Sequence, residues 1–162
     1  MKIKTIWVLV MATILSACNS APSATATLGT LTIRDAWMRA TTTMAAGEHT
    51  GMKMDGPTSA AYMLIENKGD ADVLLSASVS KDVADAAELH QSKDDNGMMM
   101  MNPMPEGIAV PANGTLEIKP ASYHIMLVNV KQTLAPGKTI KLALKFKLNG
   151  EVSLDVPVRE NK

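Results

Sequence analysis

The chain has 162 residues, with sixteen basic and sixteen acidic side chains, so its formal net charge is zero. Nucleic-acid binding requires a clustered positive field, and this balance argues against nucleic acid as a partner. Aromatic residues make up only 3%, whereas methionine occurs thirteen times and cysteine once, so an intrachain disulfide is excluded and thioether sulfur is the unusual feature.

The N-terminus predicts a secretory signal. Lys2 and Lys4 precede an apolar run at positions 6–15, which is shorter than the roughly 20 residues that a membrane-spanning helix needs. The run ends in LSAC, which resembles the lipobox of bacterial lipoproteins, whose cysteine is acylated and becomes the first mature residue. We therefore expect a signal peptide over 1–17, lipidation of Cys18, and an exported protein on the periplasmic or cell-surface side of a membrane.

The next segment, 18–27, is rich in Ser, Thr, Ala and Pro and predicts a flexible tether to the lipid. A single folded domain is expected over 28–162. Its clearest strands are 139–148, where apolar residues alternate with lysines, and 152–158. The pair Asn149-Gly150 between them favours a tight hairpin turn.

The other apolar segments are short and spaced by turn-forming residues, and no segment shows the periodicity of an amphipathic helix. About eight or nine short strands at this spacing predict an all-β sandwich. The further strand candidates are Thr30–Trp37, Ser59–Glu66, Val73–Val79, Ala86–Gln91, Met98–Asn102, Thr115–Ile118 and Tyr123–Val130.

One stretch, 41–57, interrupts this rhythm. It lacks alternation, contains three glycines, and carries Met44, His49, Met52 and Met54. Loops of this length inside a compact domain are usually functional or disordered. We interpret it as a loop insertion that contains both methionine and histidine.

The distribution of histidine and methionine points to a metal. The chain has three histidines, and six of its thirteen methionines lie between Met98 and Met126. Thioether sulfur is a soft, neutral ligand that selects Cu(I), and neutral imidazole also suits copper. Zinc structural sites favour thiolates or several histidines, and calcium and magnesium require carboxylate clusters that the sequence lacks.

Strand geometry indicates which side chains share a face. His124 and Met126 are two residues apart on one predicted strand, so both point to the same side. Met99 and Met101 are related in the same way and form a candidate ligand pair.

The remaining residues of the methionine run, Met98 and Met100, would face the other way and are interpreted as packing residues. A hairpin centred on Asn96-Gly97 brings His90 within reach of Met99 or Met101. Geometry alone therefore predicts a site of His90, His124 and Met126 with Met99 or Met101.

This pattern resembles the periplasmic copper chaperones of the PCu(A)C family, in which a His, about ten residues, a Met, some twenty residues and His-x-Met follow one another. Here ten residues separate His90 from Met101, and twenty-two separate Met101 from His124. The resemblance therefore implies the ligands His90, Met101, His124 and Met126, with Met99 as a further candidate. The resemblance covers about 29–148 and includes AWMRA at 36–40 and AAYMLIENKGD at 60–70.

Two departures from the family pattern bear on the site. Many members carry Met two residues after the first His, where this chain has Ser92. The loop at 41–57 also looks longer than the usual connection. Its methionines and histidine would provide a second, weaker copper site, for Cu(I) or Cu(II), or cover the first one.

The resemblance implies a cupredoxin-like β-sandwich with Greek-key connections. It also implies an extracytoplasmic Cu(I) metallochaperone that passes copper to an acceptor protein, such as a cytochrome c oxidase subunit or a Sco-type protein. We expect a monomer without enzymatic activity, because no nucleophile or acid–base arrangement is evident.

Two other interpretations compete with delivery. Copper sequestration for resistance would use the same ligands, so the sequence leaves it open. Electron transfer through blue copper requires a cysteine thiolate beside two histidines, and lipidation would occupy Cys18.

Overall fold

The structure, a computed structural model, describes residues 23–41, 57–95 and 98–160. Within these ranges there are eleven strands, and no helix has the length and apolar character needed to cross a membrane. The strands are β1 (Ala24–Leu28), β2 (Leu31–Arg39), β3 (Ser59–Asn67), β4 (Asp72–Val79), β5 (Ala84–Asp95), β6 (Met98–Pro103), β7 (Ile108–Val110), β8 (Thr115–Ile118), β9 (Tyr123–Val130), β10 (Thr139–Phe146) and β11 (Glu151–Arg159).

The strands form one continuous sheet in the order β6-β5-β9-β8-β3-β2-β11-β10-β4-β7, with β1 added beside β2. Two further pairings, β9 with β3 and β4 with β5, curl this sheet around the core. The predicted all-β fold is confirmed, although the described residues contain more strands than the eight or nine expected.

Strand β1 occupies part of the segment that composition predicts as a tether. Ala24 to Leu28 pair antiparallel with β2, and Ala24, Ala26 and Leu28 pack against the core. The alternation of Ala with Thr is a strand pattern, but small side chains give it little hydrophobic contrast. The prediction of a flexible tether is therefore wrong for these residues.

The faces of β3 and β9 define two environments. Ala61, Met63 and Ile65 of β3 and Ile125 and Leu127 of β9 belong to the main hydrophobic core. Because side chains alternate along a strand, the intervening residues lie on the opposite side, which we call the outer face. The candidate metal ligands are on this face.

A β-bulge in β2 directs some of its side chains to the same outer face. Leu31 and Ile33 are buried in the core before the bulge, and Ala36 and Met38 are buried after it. The core-facing positions therefore change from odd-numbered to even-numbered residues. Asp35 at this point has a φ of 53°, a conformation that Asp tolerates better than most residues. As a result, residues 37 and 39 face outward.

Two hairpins correspond to the predicted turns. Strands β10 and β11 pair antiparallel, but their last register pair is Lys145 with Glu151, so the connection is longer than the tight turn predicted at Asn149-Gly150. Of that pair of residues, Gly150 has a positive φ, of 91°. Strand β10 ends at Phe146, so Leu148, predicted on the buried face, is 63% exposed. In the other hairpin Asp95 pairs with Met98 across the connection at 96–97.

Candidate metal centre

The two histidines of the predicted site face each other across β5 and β9. His90 is directly opposite His124 in the antiparallel register, and their ring centroids are 5.8 Å apart. Both residues are buried, at 1% and 6% exposure. Because an imidazole–metal bond is about 2 Å long, two rings at this separation can share one ion.

Met126 and Met101 flank this histidine pair on opposite sides. Met126 is two residues beyond His124, is 5% exposed, and lies opposite Glu88. Met101 lies on β6 opposite Ser92, so it is the diagonal neighbour of His90 rather than its direct partner. Long side chains reach diagonal neighbours in a sheet, so all four predicted ligands share one region of the outer face.

The other described members of the methionine run differ from the sequence-based interpretation. Met99 lies opposite Asp94, one step further from the histidines than Met101, and is 44% exposed. Met100 is 43% exposed, so its interpretation as a packing residue is wrong. The reason is that β6 is at the end of the strand order, where a single neighbouring strand covers little surface.

Each histidine uses one ring nitrogen in a hydrogen bond to the protein. His90 Nε2 is 2.9 Å from Glu88 Oε2, and His124 Nδ1 is 3.1 Å from the carbonyl oxygen of Ser122. Both partners are acceptors, so each of these nitrogens donates its proton. The lone pairs then lie on His90 Nδ1 and His124 Nε2.

These lone pairs are available for a ligand. Among the residues that the structure describes, His90 Nδ1 is the one buried side-chain nitrogen or oxygen without a hydrogen-bond partner. A buried polar atom in this state is costly and calls for an explanation, such as a metal ion.

Sequence analysis did not identify the two hydrogen-bond acceptors. Glu88 precedes His90 by two residues, so period-2 alternation alone could have nominated it. The acceptor at Ser122 is a backbone carbonyl, which no residue type reveals.

Burial also favours the neutral form of His124. Desolvation lowers the pKa of His124 below its ordinary value, and this outweighs the opposite effect of the hydrogen bond to Ser122. Electrostatic repulsion from the Arg39 guanidinium, and from His90 when that ring carries a proton, lowers the pKa of His124 further. The imidazole is therefore neutral at pH 7, as a metal ligand must be.

Aromatic residues continue the outer face beyond the histidines. Tyr62 is opposite Trp37 in the register of β2 and β3, and their ring centroids are 4.7 Å apart. The Arg159 guanidinium lies 5.9 Å from the centroid of the Trp37 ring. Tyr62 is buried, so on the β3 side the histidine pair borders a closed surface.

The structure describes Ser92 but not the predicted lipidation site or the methionine and histidine residues of the 41–57 loop. Ser92, in the position where many PCu(A)C members have Met, is 9% exposed and lies opposite Met101. Cys18 and the loop residues Met44, His49, Met52 and Met54 lie outside the described residues.

No group of three or more His, Cys, Asp or Glu side chains within 23–41, 57–95 and 98–160 is arranged to hold a metal ion. The predicted ligand set combines two histidines with two methionines, and methionine is not among these four residue types.

Known protein sequences resemble this chain over much of its length. The family model described as "Putative lipoprotein LpqE-like" matches residues 31–158. A curated relative, "Putative lipoprotein Lxx21020" of Leifsonia xyli subsp. xyli, is 29% identical over 102 residues, which are 63% of this chain. That match spans 61% of the relative, so the chain covers about three fifths of its length.

Solved structures resemble this one over most of the chain. The apo PCuAC domain from PmoF1 superimposes with a TM-score of 0.62 at 22% identity, covering 85% of this chain and 99% of that domain. The solution structure of CuI-DR1885 from Deinococcus radiodurans gives a TM-score of 0.55 at 24% identity, covering 78% and 77% of the two chains. At these identities the similarity establishes the fold.

The lowered pKa of His124 predicts that its ring becomes protonated at a lower pH than an ordinary histidine. In the metal-free protein, the ring should titrate below about pH 6.5, the value of an unperturbed histidine. Since the native-state pKa is below that of the unfolded chain, the contribution of the neutral ring to stability is complete above this pH. It is lost as the pH falls through the native-state pKa.

The ring proton resonances of His124, followed by NMR and assigned with a His124→Ala variant, test this expectation. A midpoint at or above pH 6.5 would contradict it.

Proposed function

The chain belongs to the LpqE-like putative lipoprotein family, and we propose that it is an exported metallochaperone that binds one Cu(I) ion at the histidine pair. The observation that carries this proposal is the pair itself. Two buried imidazoles face each other with centroids 5.8 Å apart, and the buried Nδ1 of His90 has no partner among the described residues.

The proposed ligands are His90, Met101, His124 and Met126. His90 would bind through Nδ1 and His124 through Nε2, because the other nitrogen of each ring is held by Glu88 or by the Ser122 carbonyl. Such outer hydrogen bonds orient ligating histidines in metal proteins. Met101 and Met126 would complete the coordination from opposite sides of the pair.

The chemistry of this set selects a soft monovalent ion. All four ligands are neutral, so Cu(I) would add a single positive charge to a largely buried site, whereas a divalent ion would add two. Thioethers favour Cu(I) over harder ions and bind without releasing a proton. The DR1885 protein, which has the same fold, has been solved in its CuI form.

The position of the site on the outer face supports transfer rather than permanent storage. A metal in the main core would be sealed by the packing of both sheet faces, whereas here the edge strand β6 lies beside the ligands. The proposed partner is a copper-acceptor protein, and the sequence resemblance suggests a cytochrome c oxidase subunit or a Sco-type protein. Lipidation of Cys18, supported by the lipobox and by the family name, would hold the protein at a membrane.

A second copper site in the 41–57 loop stays a prediction from sequence.

The ligand set is tested by a Cu(I) competition titration against a chromogenic chelator. The wild-type protein should bind one tightly held Cu(I), and His124→Ala should weaken it by at least about tenfold, or about 1.4 kcal/mol. His49→Ala is the matched control, since it removes the third histidine. This variant should still bind one Cu(I) ion as tightly as the wild type does. Equal affinity of the wild type and His124→Ala would show that the proposed site is wrong.

Glu88 is expected to support the site without binding copper. Glu88→Ala removes the acceptor of His90 Nε2–H and should weaken Cu(I) binding by about 10- to 100-fold, the usual effect of losing such a hydrogen bond. Glu88→Gln retains an acceptor oxygen and should lose less.

Glu117→Ala is the control, because Glu117 is an exposed glutamate that pairs with Lys119 rather than with a histidine. Nitrogen-15 NMR of the metal-free protein should show the Nε2–H tautomer of His90 in the wild type and a mixture in Glu88→Ala. An unchanged tautomer and affinity in Glu88→Ala would contradict this role.

Delivery and sequestration differ in their cellular consequences. In a strain that lacks the gene, delivery predicts reduced cytochrome c oxidase activity at limiting copper, restored by the wild type but not by His124→Ala. Copper tolerance should stay unchanged. Reduced tolerance with normal oxidase activity would instead identify a sequestration protein.

A further inference from the structure

We propose that Met99 is the exchange ligand through which Cu(I) enters and leaves the site, a role distinct from that of the resident ligand Met101. This inference rests on the proposed function, because it assigns a route to copper held at the histidine pair. It depends on the register of β5 and β6 and on the exposure of the residues along the outer face.

The register places Met99 in line with the site. Met101 lies opposite Ser92 and Met99 opposite Asp94, so both methionines are on the face that carries His90. Same-face neighbours in a strand are about 6.5–7 Å apart. Met100 lies between them in sequence and points to the other face, away from the site.

Exposure changes steadily along this line. Met99 is 44% exposed, Met101 is partly buried, and His90 is 1% exposed. On the far side of the pair, the outer face continues into Ala60 and Tyr62, which are 2% and 5% exposed. Among the described residues, solvent therefore reaches the ligand row at the hairpin end, and it also reaches the opposite end at Glu88, whose side chain is 50% exposed. Of these two exposed residues, Met99 is the one that carries a sulfur ligand.

The chemistry of Cu(I) transfer favours an intermediate ligand at this position. Cu(I) exchanges when a new soft ligand bonds to it before an old one leaves. A methionine side chain has three rotatable bonds, so Met99 can swing toward Met101 and back toward solvent. In the outward step the Met99 sulfur–copper bond forms and a resident copper–ligand bond breaks. The remaining resident bonds break one at a time as acceptor ligands bond to the copper, and Met99 is released last.

Charge and redox state are conserved in this step. The copper remains Cu(I), and because a thioether is neutral in both states, no proton is released or taken up by Met99. The partner that fits is a protein that presents a soft sulfur ligand at the β5–β6 hairpin.

Met99 and Met100 form a matched pair for testing the proposal, since they are adjacent, almost equally exposed and on opposite faces. The purified protein is loaded with Cu(I), and transfer to bathocuproine disulfonate is followed by stopped-flow absorbance. Met99→Leu should slow transfer by about tenfold at unchanged equilibrium affinity. Met100→Leu should match the wild type in both rate and affinity.

Two results would overturn the inference. Equal transfer rates for Met99→Leu and Met100→Leu would exclude a kinetic role for Met99. A loss of affinity in Met99→Leu as large as that in Met101→Leu would make Met99 a resident ligand. Either result leaves the proposed function intact as long as His124→Ala loses copper, so the two failures are distinguishable.

Discussion

The pairing of His90 with His124 across β5 and β9 is the constraint on which the candidate site depends. The antiparallel register aligns the two residues, and the alternation of side chains directs both rings to the outer face. Each ring is then fixed by an acceptor close in sequence, the Glu88 carboxylate or the Ser122 carbonyl. If the register slipped by one residue, one of the two imidazoles would enter the main core and the pair would be lost.

The burial of this pair favours neutral groups around it. Burial disfavours protonated histidine, and this effect dominates the lowered pKa of His124. Carboxylate ligands would need stronger compensation in the same surroundings. Imidazole and thioether groups avoid this cost, and together they match the soft Cu(I) ion that we propose as cargo.

The sheet separates the hydrophobic core from the candidate metal site. The core faces of β3 and β9 pack with Ile125, Leu127 and their neighbours, whereas the ligands occupy the opposite side of the same strands. The bulge at Asp35 changes the parity of β2, so that Trp37 joins Tyr62 on that side. The candidate site therefore has a closed aromatic border toward β2 and β3 and an edge strand toward solvent.

The sequence by itself determined the features that depend on local pattern. Alternation predicted the all-β fold and the shared face of His124 and Met126, and the pair Asn96-Gly97 predicted the hairpin. The types and spacing of the candidate ligands, and hence the preference for soft copper, were also readable from the chain.

Only the tertiary structure decided which strands are neighbours and in which register. It placed His90 opposite His124 and only diagonal to Met101, and it left Met100 exposed on an edge strand. It also turned residues 24–28 into a strand and made Glu88 a hydrogen-bond partner of His90. The physical reason is that a strand pattern is local, whereas register, edge position and burial arise from contacts between segments far apart in the chain.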